Sequence, residues 1–503
     1  MNKVALFSIL LLFIEFNSYA WQDPTVPLPK RKEGHQNSLI TKAANCSPST
    51  GRKVMEFNNV SALIETGGSM WLDRSRGKNA YEVPKGSGNT LIYIGGLWMG
   101  GMDVNNQLKI AALRYRIGND FWTGPLSMGP NGQTGNINQG TLDYGAATIE
   151  PETCLEYDQF YITTRSEVEL FNSWYECSKD PDCDVNIDFP NYQIPASILT
   201  WPAHGDIGKF HDFNLAPFYD RPGGTPGIYD PIGDGDYPWY DLSGEIDCRT
   251  NRKVTLYGDF NMWWVFNDKG NIHTETGGDP IGMEIRSQAF AFATNDEINS
   301  MTFYNYELIN RSTQTLTNTY FGVYLDCDIG CSFDDYVGCD VERGLGYAYN
   351  GNAIDAIGCG SWTTPIGANP PAMGVDFFEG PYQDNDGMDN PLTSDVSQAI
   401  QDRGIPYQGL GIGYGDGVID NERFGMKRFV YYDGQLNQTT FGDPTNAVEY
   451  YNYMRGYWRD NTRFVYGATG NSSSSGASNI PTNYCFPGDS DPLNWGTEGI
   501  NPG

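Results

Sequence analysis

Sixty glycines and 29 prolines set a backbone breaker at roughly every sixth position of this 503-residue chain. That density excludes long uninterrupted helices, and with them helical bundles and coiled coils. Apolar residues make up 39% and aromatics 14%, enough to fill a substantial core from short strands. We therefore expect a mainly β protein: β-sandwich-like sheets with long Asp/Gly-rich loops and a few short helices. The length suits about two to four domains.

Residues 1–20 read as a secretory signal peptide. Lys3 gives a basic start, Val4 to Phe13 is an apolar run, and Ser18-Tyr19-Ala20 offers small residues before a cut; Glu15 is out of character. No later stretch reaches the roughly 18 uninterrupted apolar residues of a membrane span. All ten cysteines follow the cut: Cys46, Cys154, Cys177, Cys183, Cys248, Cys327, Cys331, Cys339, Cys359 and Cys485. An even number in an exported chain favours disulfides, and the lack of any C-x-x-C pair speaks against zinc. Cys177 and Cys183 are spaced to close a small loop, and Cys327, Cys331, Cys339 and Cys359 form a second cluster. The expected location is secreted or extracellular, with attachment to the cell surface or envelope open.

Beyond the signal, residues 21–45 form a polar, proline-bearing flexible leader. Residues 46–250 form a β-rich region with one helix near 165–177, signalled by the Thr164-x-x-Glu167 capping box. Leu91–Met99 and Leu108–Tyr115 flank Asn105-Asn106 as a hairpin. Residues 201–247 look irregular. Strand character returns at Lys253–Phe266, Met283–Thr294, Met301–Asn310 and Thr319–Leu325. This second β-rich region, 251–470, carries acidic loops, a short helical stretch at Asp395–Asp402 and a helix near 447–459. Residues 471–503 are a low-complexity loop and tail, read as the end of a fragment.

The 62 acids against 32 bases give a net charge of −30, which repels nucleic acid and anionic lipid. The charge is concentrated: between Phe321 and Gly425 stand 17 acids and three bases. Such crowding needs cations or hydrogen-bond donors, and clustered side-chain oxygens suit structural Ca²⁺, which takes about six to eight of them in loose geometry. Three patches carry this expectation. Asp384, Asp386 and Asp389 flank Gly387 in a D-x-D-G-x-D pattern resembling the calcium-wrapping loops of thrombospondin type 3 repeats over seven residues. Asp416, Asp420 and Glu422 resemble the second half of an EF-hand loop, whose first half fails at Ile412 and Tyr414 and whose last ligand position is Arg423. Asp326, Asp328, Asp334 and Asp335, followed by Asp340, form the third. The competing reading is that Asp and Gly here are solvated turn formers.

Catalytic signatures are sparse. The four histidines form no H-E-x-x-H, and neither a G-x-S-x-G elbow nor a phosphate-binding P-loop occurs. His204, Asp206, His211 and Asp212 offer a small metal or acid–base site against the simpler reading of hydrogen-bonded loop histidines; His273 with Glu275 is weaker. Trp263-Trp264, Trp98, Trp239 and Tyr431-Tyr432 offer a sugar-stacking platform, against the simpler reading of core aromatics.

Several segments together resemble large secreted Bacteroidota proteins that usually carry a C-terminal type IX secretion sorting domain. They are Tyr93–Gly101 (YIGGLWMGG), Trp201–Asp206 (WPAHGD), Leu215–Asp220 (LAPFYD), Val265–Gly278 (VFNDKGNIHTETGG), Asp335–Asp340 (DYVGCD) and Gly367–Gly380 (GANPPAMGVDFFEG). The resemblance implies an extracellular location and β-rich architecture without a defined activity. The sorting domain itself is missing from the sequence. Pro222, Gly223, Gly224 and Pro226 interrupt a loop where relatives carry an Asp-rich run, leaving Asp234 and Asp236 as oxygen donors. The leading expectation is a non-catalytic adhesion or matrix-binding protein, braced by calcium and disulfides, that meets extracellular matrix or a glycan surface. The alternatives are a secreted glycan-active enzyme or carbohydrate-binding module, and a metallopeptidase built on His204, Asp206 and His211.

Overall fold

The computed structural model describes residues 9–16, 44–115, 118–128, 147–242, 254–356, 359, 364–383, 386–391, 393, 395–401, 411–433 and 439–502. The principal strands begin with β1 (Ile9–Phe16), β2 (Ile94–Met102), β3 (Leu108–Ala112), β4 (Trp122–Thr123) and β5 (Tyr161–Thr164). They continue with β6 (Phe260–Asn267), β7 (Met283–Ala291), β8 (Phe303–Asn310) and β9 (Thr317–Asp326). The last are β10 (Asp335–Asp340), β11 (Leu345–Asn350), β12 (Ala372–Asp376) and β13 (Arg428–Tyr432). The two longer helices are α1 (Arg165–Lys179) and α2 (Ala447–Met454).

The fold is mainly β, as the spacing of turn formers requires. One sheet has the order β13-β1-β9-β2-β3, with every neighbour antiparallel. A second runs β4-β6-β7-β8, with β5 also paired to β6. A third is β10-β11-β12. β4 and β5 precede residue 250 and β6 follows it, so strand pairing joins the two β-rich regions read from the sequence. β1 lies within the expected signal peptide and occupies the position between β9 and β13.

Both large sheets contribute to one core. Trp98, Met99, Tyr324, Tyr432, Trp264, Phe266 and Ile285 belong to the same buried cluster. β6 shows the logic of its apolar run. Met262, Trp264 and Phe266 face this main core, while Trp263 and Val265 face a second cluster with Val168, Phe171, Trp201 and Tyr240. A strand buried on both faces needs no polar alternation. The expected start at Lys253 lies outside the described residues; β6 itself begins at Phe260, just after Gly258 adopts φ 78° and turns the chain.

The glycines of YIGGLWMGG are explained by close packing on β2. A Cβ on Gly95 would lie 2.3 Å from the Trp71 ring, and one on Gly96 2.7 Å from Leu113. The hairpin forms as expected, with Asn106 at φ 57° in its turn. So does the capping box: the Glu167 N–H donates to Thr164 Oγ1 (3.2 Å) and the Thr164 N–H to Glu167 Oε2 (2.9 Å). Thr164→Ala should reduce stability by about 1 kcal/mol, read from the midpoint of urea unfolding. α2 stops at Met454, short of the expected Arg459, because Gly456 takes φ 76° and redirects the chain.

Among the described residues, disulfides join Cys46–Cys154, Cys177–Cys183 and Cys331–Cys359. The local loop at Cys177/Cys183 is therefore closed, and one bond forms within the second cysteine cluster. Cys327, Cys339 and Cys485 are buried thiols, and Cys248 lies outside the described residues. No described helix is long and apolar enough to cross a membrane.

Candidate functional site

The acidic segments supply two regions of interest. In the first, residues 386–390 interlock with residues 411–423. Asp389 accepts the N–H groups of Gly415 and Gly417, both at 2.7 Å, one on each carboxylate oxygen. Asp420 Oδ1 accepts the Gly387 N–H at 2.9 Å, and Glu422 Oε1 accepts the Asn390 N–H. Gly387 has φ 81°, the left-handed turn that its place in the pattern suggested. Asp386 and Asp416 each accept the N–H two residues onward, a turn-capping use of the side chain. Glu422 is buried, and its Oε2 makes no hydrogen bond. Burial raises its pKa, and the charges of Asp389 and Asp420 add to the rise.

The second region lies where β9 ends and β10 begins. Asp328, Asp334 and Asp335 are all buried there. Burial pushes Asp328 up to about 7. It pushes Asp335 up to about 9, against the Ile329 N–H bond and with help from Asp328, Asp334 and Asp355. Asp326 is also raised well above its ordinary value, by burial first and then by the negative charges of Asp328 and Asp443, which outweigh Arg114. Asp335 Oδ2 accepts the Ile329 N–H at 2.8 Å; its Oδ1 and Asp334 Oδ1 make no hydrogen bond. Asp355 is fully engaged, accepting the N–H groups of Cys331 and Ile366.

Among the described residues, no three carboxylates bring oxygens within 4.8 Å of one another. The single trio that meets this spacing is Cys177, Cys183 and Asp188, whose two sulfurs are already joined as a disulfide. Asp384 lies outside the described residues. The structure thus brings Asp389, Asp420 and Glu422 into one neighbourhood, and Asp326, Asp328 and Asp335 into another, without closing an oxygen cage. Asp234 and Asp236 brace their own loop by accepting the N–H groups of Thr225, Arg221 and Asp230.

The other candidates serve the core. Trp98, Trp263, Trp264, Tyr431 and Tyr432 are all buried, which removes them as a sugar-stacking platform. His204 stacks on Phe213 with ring centroids 4.0 Å apart and places Nδ1 3.0 Å from the Phe213 carbonyl. His211 is buried against Tyr157. Burial pulls both histidines below their ordinary value and favours the neutral ring. Asp206 caps Gly208.

Sequence reading missed two buried charge networks. In one, Glu284, fully enclosed on β7, accepts from Arg311 (2.9 and 3.2 Å), Arg286 (2.9 Å) and the Leu126 N–H (2.9 Å); both arginines also reach Asp212. Burial opposes its charge, yet the two guanidiniums hold its carboxyl down to about 2. In the other, Arg114 donates to Glu275 and lies 3.0 Å from Asp443, while the hydroxyls of Tyr450 and Tyr115 donate to those same carboxylates. The VFNDKGNIHTETGG segment feeds this second network. Asp268 accepts the N–H groups of Ile281, Gly282 and Met283, and Thr276 donates to Asp120. The available signal was the opposite charges of Glu284 and Arg286 two residues apart, on one face of a strand that also carries Met283, Ile285 and Phe290.

The surface of the described residues also has concavities, two of which are these. One of about 160 Å³ is lined by Val465, Tyr466, Gly470, Tyr484 and Phe486, and an open groove of about 360 Å³ by Thr50, Arg52, Glu65 and Arg74. Compared with known proteins, the chain matches no family model, no curated protein and no solved structure.

Proposed function

We propose that this chain is an exported, non-catalytic extracellular or cell-surface protein that binds matrix or glycan surfaces, with calcium and disulfides holding its long loops. The resemblance to type IX-secreted proteins belongs to the same proposal. The observation that carries it is the burial of Asp328, Asp334 and Asp335 together at the β9–β10 junction, beside the half-buried Asp326. Like charges forced out of water need protons or a cation, and an oxygen-ligated divalent ion would serve them by drawing the carboxylates closer than they stand here. The disulfides support an oxidising compartment.

Thermal melting with calcium and with chelator tests the ionic part. At calcium a hundredfold above its dissociation constant, the expected stabilisation is about 2.7 kcal/mol. In chelator the pH dependence has a defined sign. The folded pKa of Asp335 is raised from 3.8 to about 9, so its contribution is present below pH 3.8 and is lost as pH rises toward 9. The chelated protein should therefore melt at progressively lower temperature from pH 5 to 9. Calcium should flatten that slope, and Asp335→Asn should lose the calcium response. Identical melting in calcium and chelator across this range would remove the ion from the proposal. Binding of labelled protein to glycan arrays and matrix proteins, run beside an assay of reducing-sugar release, separates the adhesive reading from a glycan-active one.

A further inference from the structure

The position between β9 and β13 has properties that outlast its occupant. β1 pairs antiparallel with β9 from Ile9↔Asp326 to Phe16↔Thr319, and with β13 from Ile9↔Tyr432 to Phe13↔Arg428. β9 and β13 are therefore parallel to each other and separated by two strand spacings, about 9–10 Å. Each is held from elsewhere. β9 is paired along its other edge to β2. On the far side of β13, the Phe429 N–H donates to the Asn483 carbonyl and the Cys485 N–H to the Phe429 carbonyl. Side chains also connect the two strands beneath the gap. The Tyr324 ring of β9 stacks on the Tyr432 ring of β13, with centroids 6.4 Å apart and an interplanar angle of 11°. Trp98 stacks on both. This aromatic floor fixes the separation, so the gap does not close by simple sliding.

The walls also define what fits. Successive residues Phe429 to Tyr432 are all buried, as are Tyr324 and Leu325 opposite them. An occupant flanked on both faces by buried apolar neighbours must itself be apolar on both faces, unlike an amphipathic edge strand.

The segment seated there is also the apolar core of the expected signal peptide, and cleavage after Ala20 would remove it. We propose that in the cleaved protein this slot is a strand acceptor, filled by an extended segment of about eight residues, continuously apolar over the stretch that lies between both walls as Ile9–Phe13 does here, donated by a partner polypeptide and running antiparallel to both β9 and β13. The inference rests on the export reading. Main-chain pairing on both sides of the first five residues gives affinity, and the two buried faces there give selectivity for apolar sequence.

The test uses the chain beginning at Trp21 and a synthetic peptide of sequence Ile9–Phe16 flanked by lysines. Saturable one-to-one binding with a rise in melting temperature is expected. The same peptide carrying L11P and F13P should bind roughly a hundredfold more weakly, because each proline removes a ladder donor. If the chain from Trp21 is unfolded alone, recovery of native circular dichroism on adding the first peptide, and not the second, supports the proposal equally. No binding, or equal binding of both peptides, overturns it. A peptide-resistant dimer assigns the slot to a second copy and overturns the partner. Intact mass of the exported protein separates the two readings: a retained leader overturns cleavage, and the partner with it, whereas a cleaved chain that ignores the peptide overturns only the slot.

Discussion

Arg311→Ala is expected to lower the unfolding free energy by about 3–5 kcal/mol, because it strips a buried carboxylate of its main partner. Glu284 is wholly enclosed, and Arg311 supplies two of its hydrogen bonds. Arg286 and the Leu126 N–H remain, but Arg286 is shared with Asp212. The pH dependence follows from the same site. The folded pKa of Glu284, about 2, lies below its ordinary 4.5, so its contribution is present above pH 4.5 and is lost as pH falls through 2. Urea unfolding at pH 7 and pH 3 reads both effects. The variant should lose most at pH 7, and the gap to wild type should narrow at pH 3. Glu284→Gln combined with Arg311→Met should recover part of the loss, since the pair is removed together. A loss under about 1 kcal/mol for the single variant would mean that water or Arg286 replaces Arg311 fully.

Trp98→Ala should destabilise by about 3–5 kcal/mol, the range for emptying a large aromatic from a packed core. Trp98 is fully buried, stacks on Tyr324 at 5.2 Å, meets Tyr450 edge-on at 4.6 Å and donates from Nε1 to the Leu113 carbonyl at 2.7 Å. Trp98→Phe keeps part of the stacking but leaves that carbonyl unpaired, so an intermediate loss is expected. Equilibrium denaturation followed by tyrosine fluorescence and circular dichroism checks both. Near-neutral behaviour of Trp98→Ala would show that the aromatic layer repacks without it.

The architecture was readable where local chemistry decides it. Turn formers gave the mainly β class, Thr164 and Glu167 gave the start of α1, and Asn105-Asn106 gave a hairpin. These signals act within a few residues. The simpler reading of Trp263 and Trp264 as core aromatics holds, but which cluster each meets was not readable, because their opposite faces meet clusters drawn from distant segments. Distance also hides the Glu284 network: Arg311 lies 27 residues from Glu284, and Asp212, which both arginines reach, lies 74 residues from Arg286 and 99 from Arg311, so no spacing rule connects them. The acidic loops were half readable. Asp389 and Asp420 do approach one another's loops, but the donors that meet their carboxylates are backbone amides, which sequence does not advertise.

The order of strands in the first sheet has a kinetic consequence. β9 ends at Asp326 and β13 begins only at Arg428, while α2, whose Tyr450 packs on Trp98, comes later still. At ordinary synthesis rates of about 5–20 residues per second, the intervening hundred residues take roughly 5–20 seconds to emerge. Throughout that interval the growing chain holds an open apolar edge with nothing to pair it. An unpaired apolar edge that waits this long is exposed to mispairing and aggregation, and the earliest-made strands carry that exposure longest.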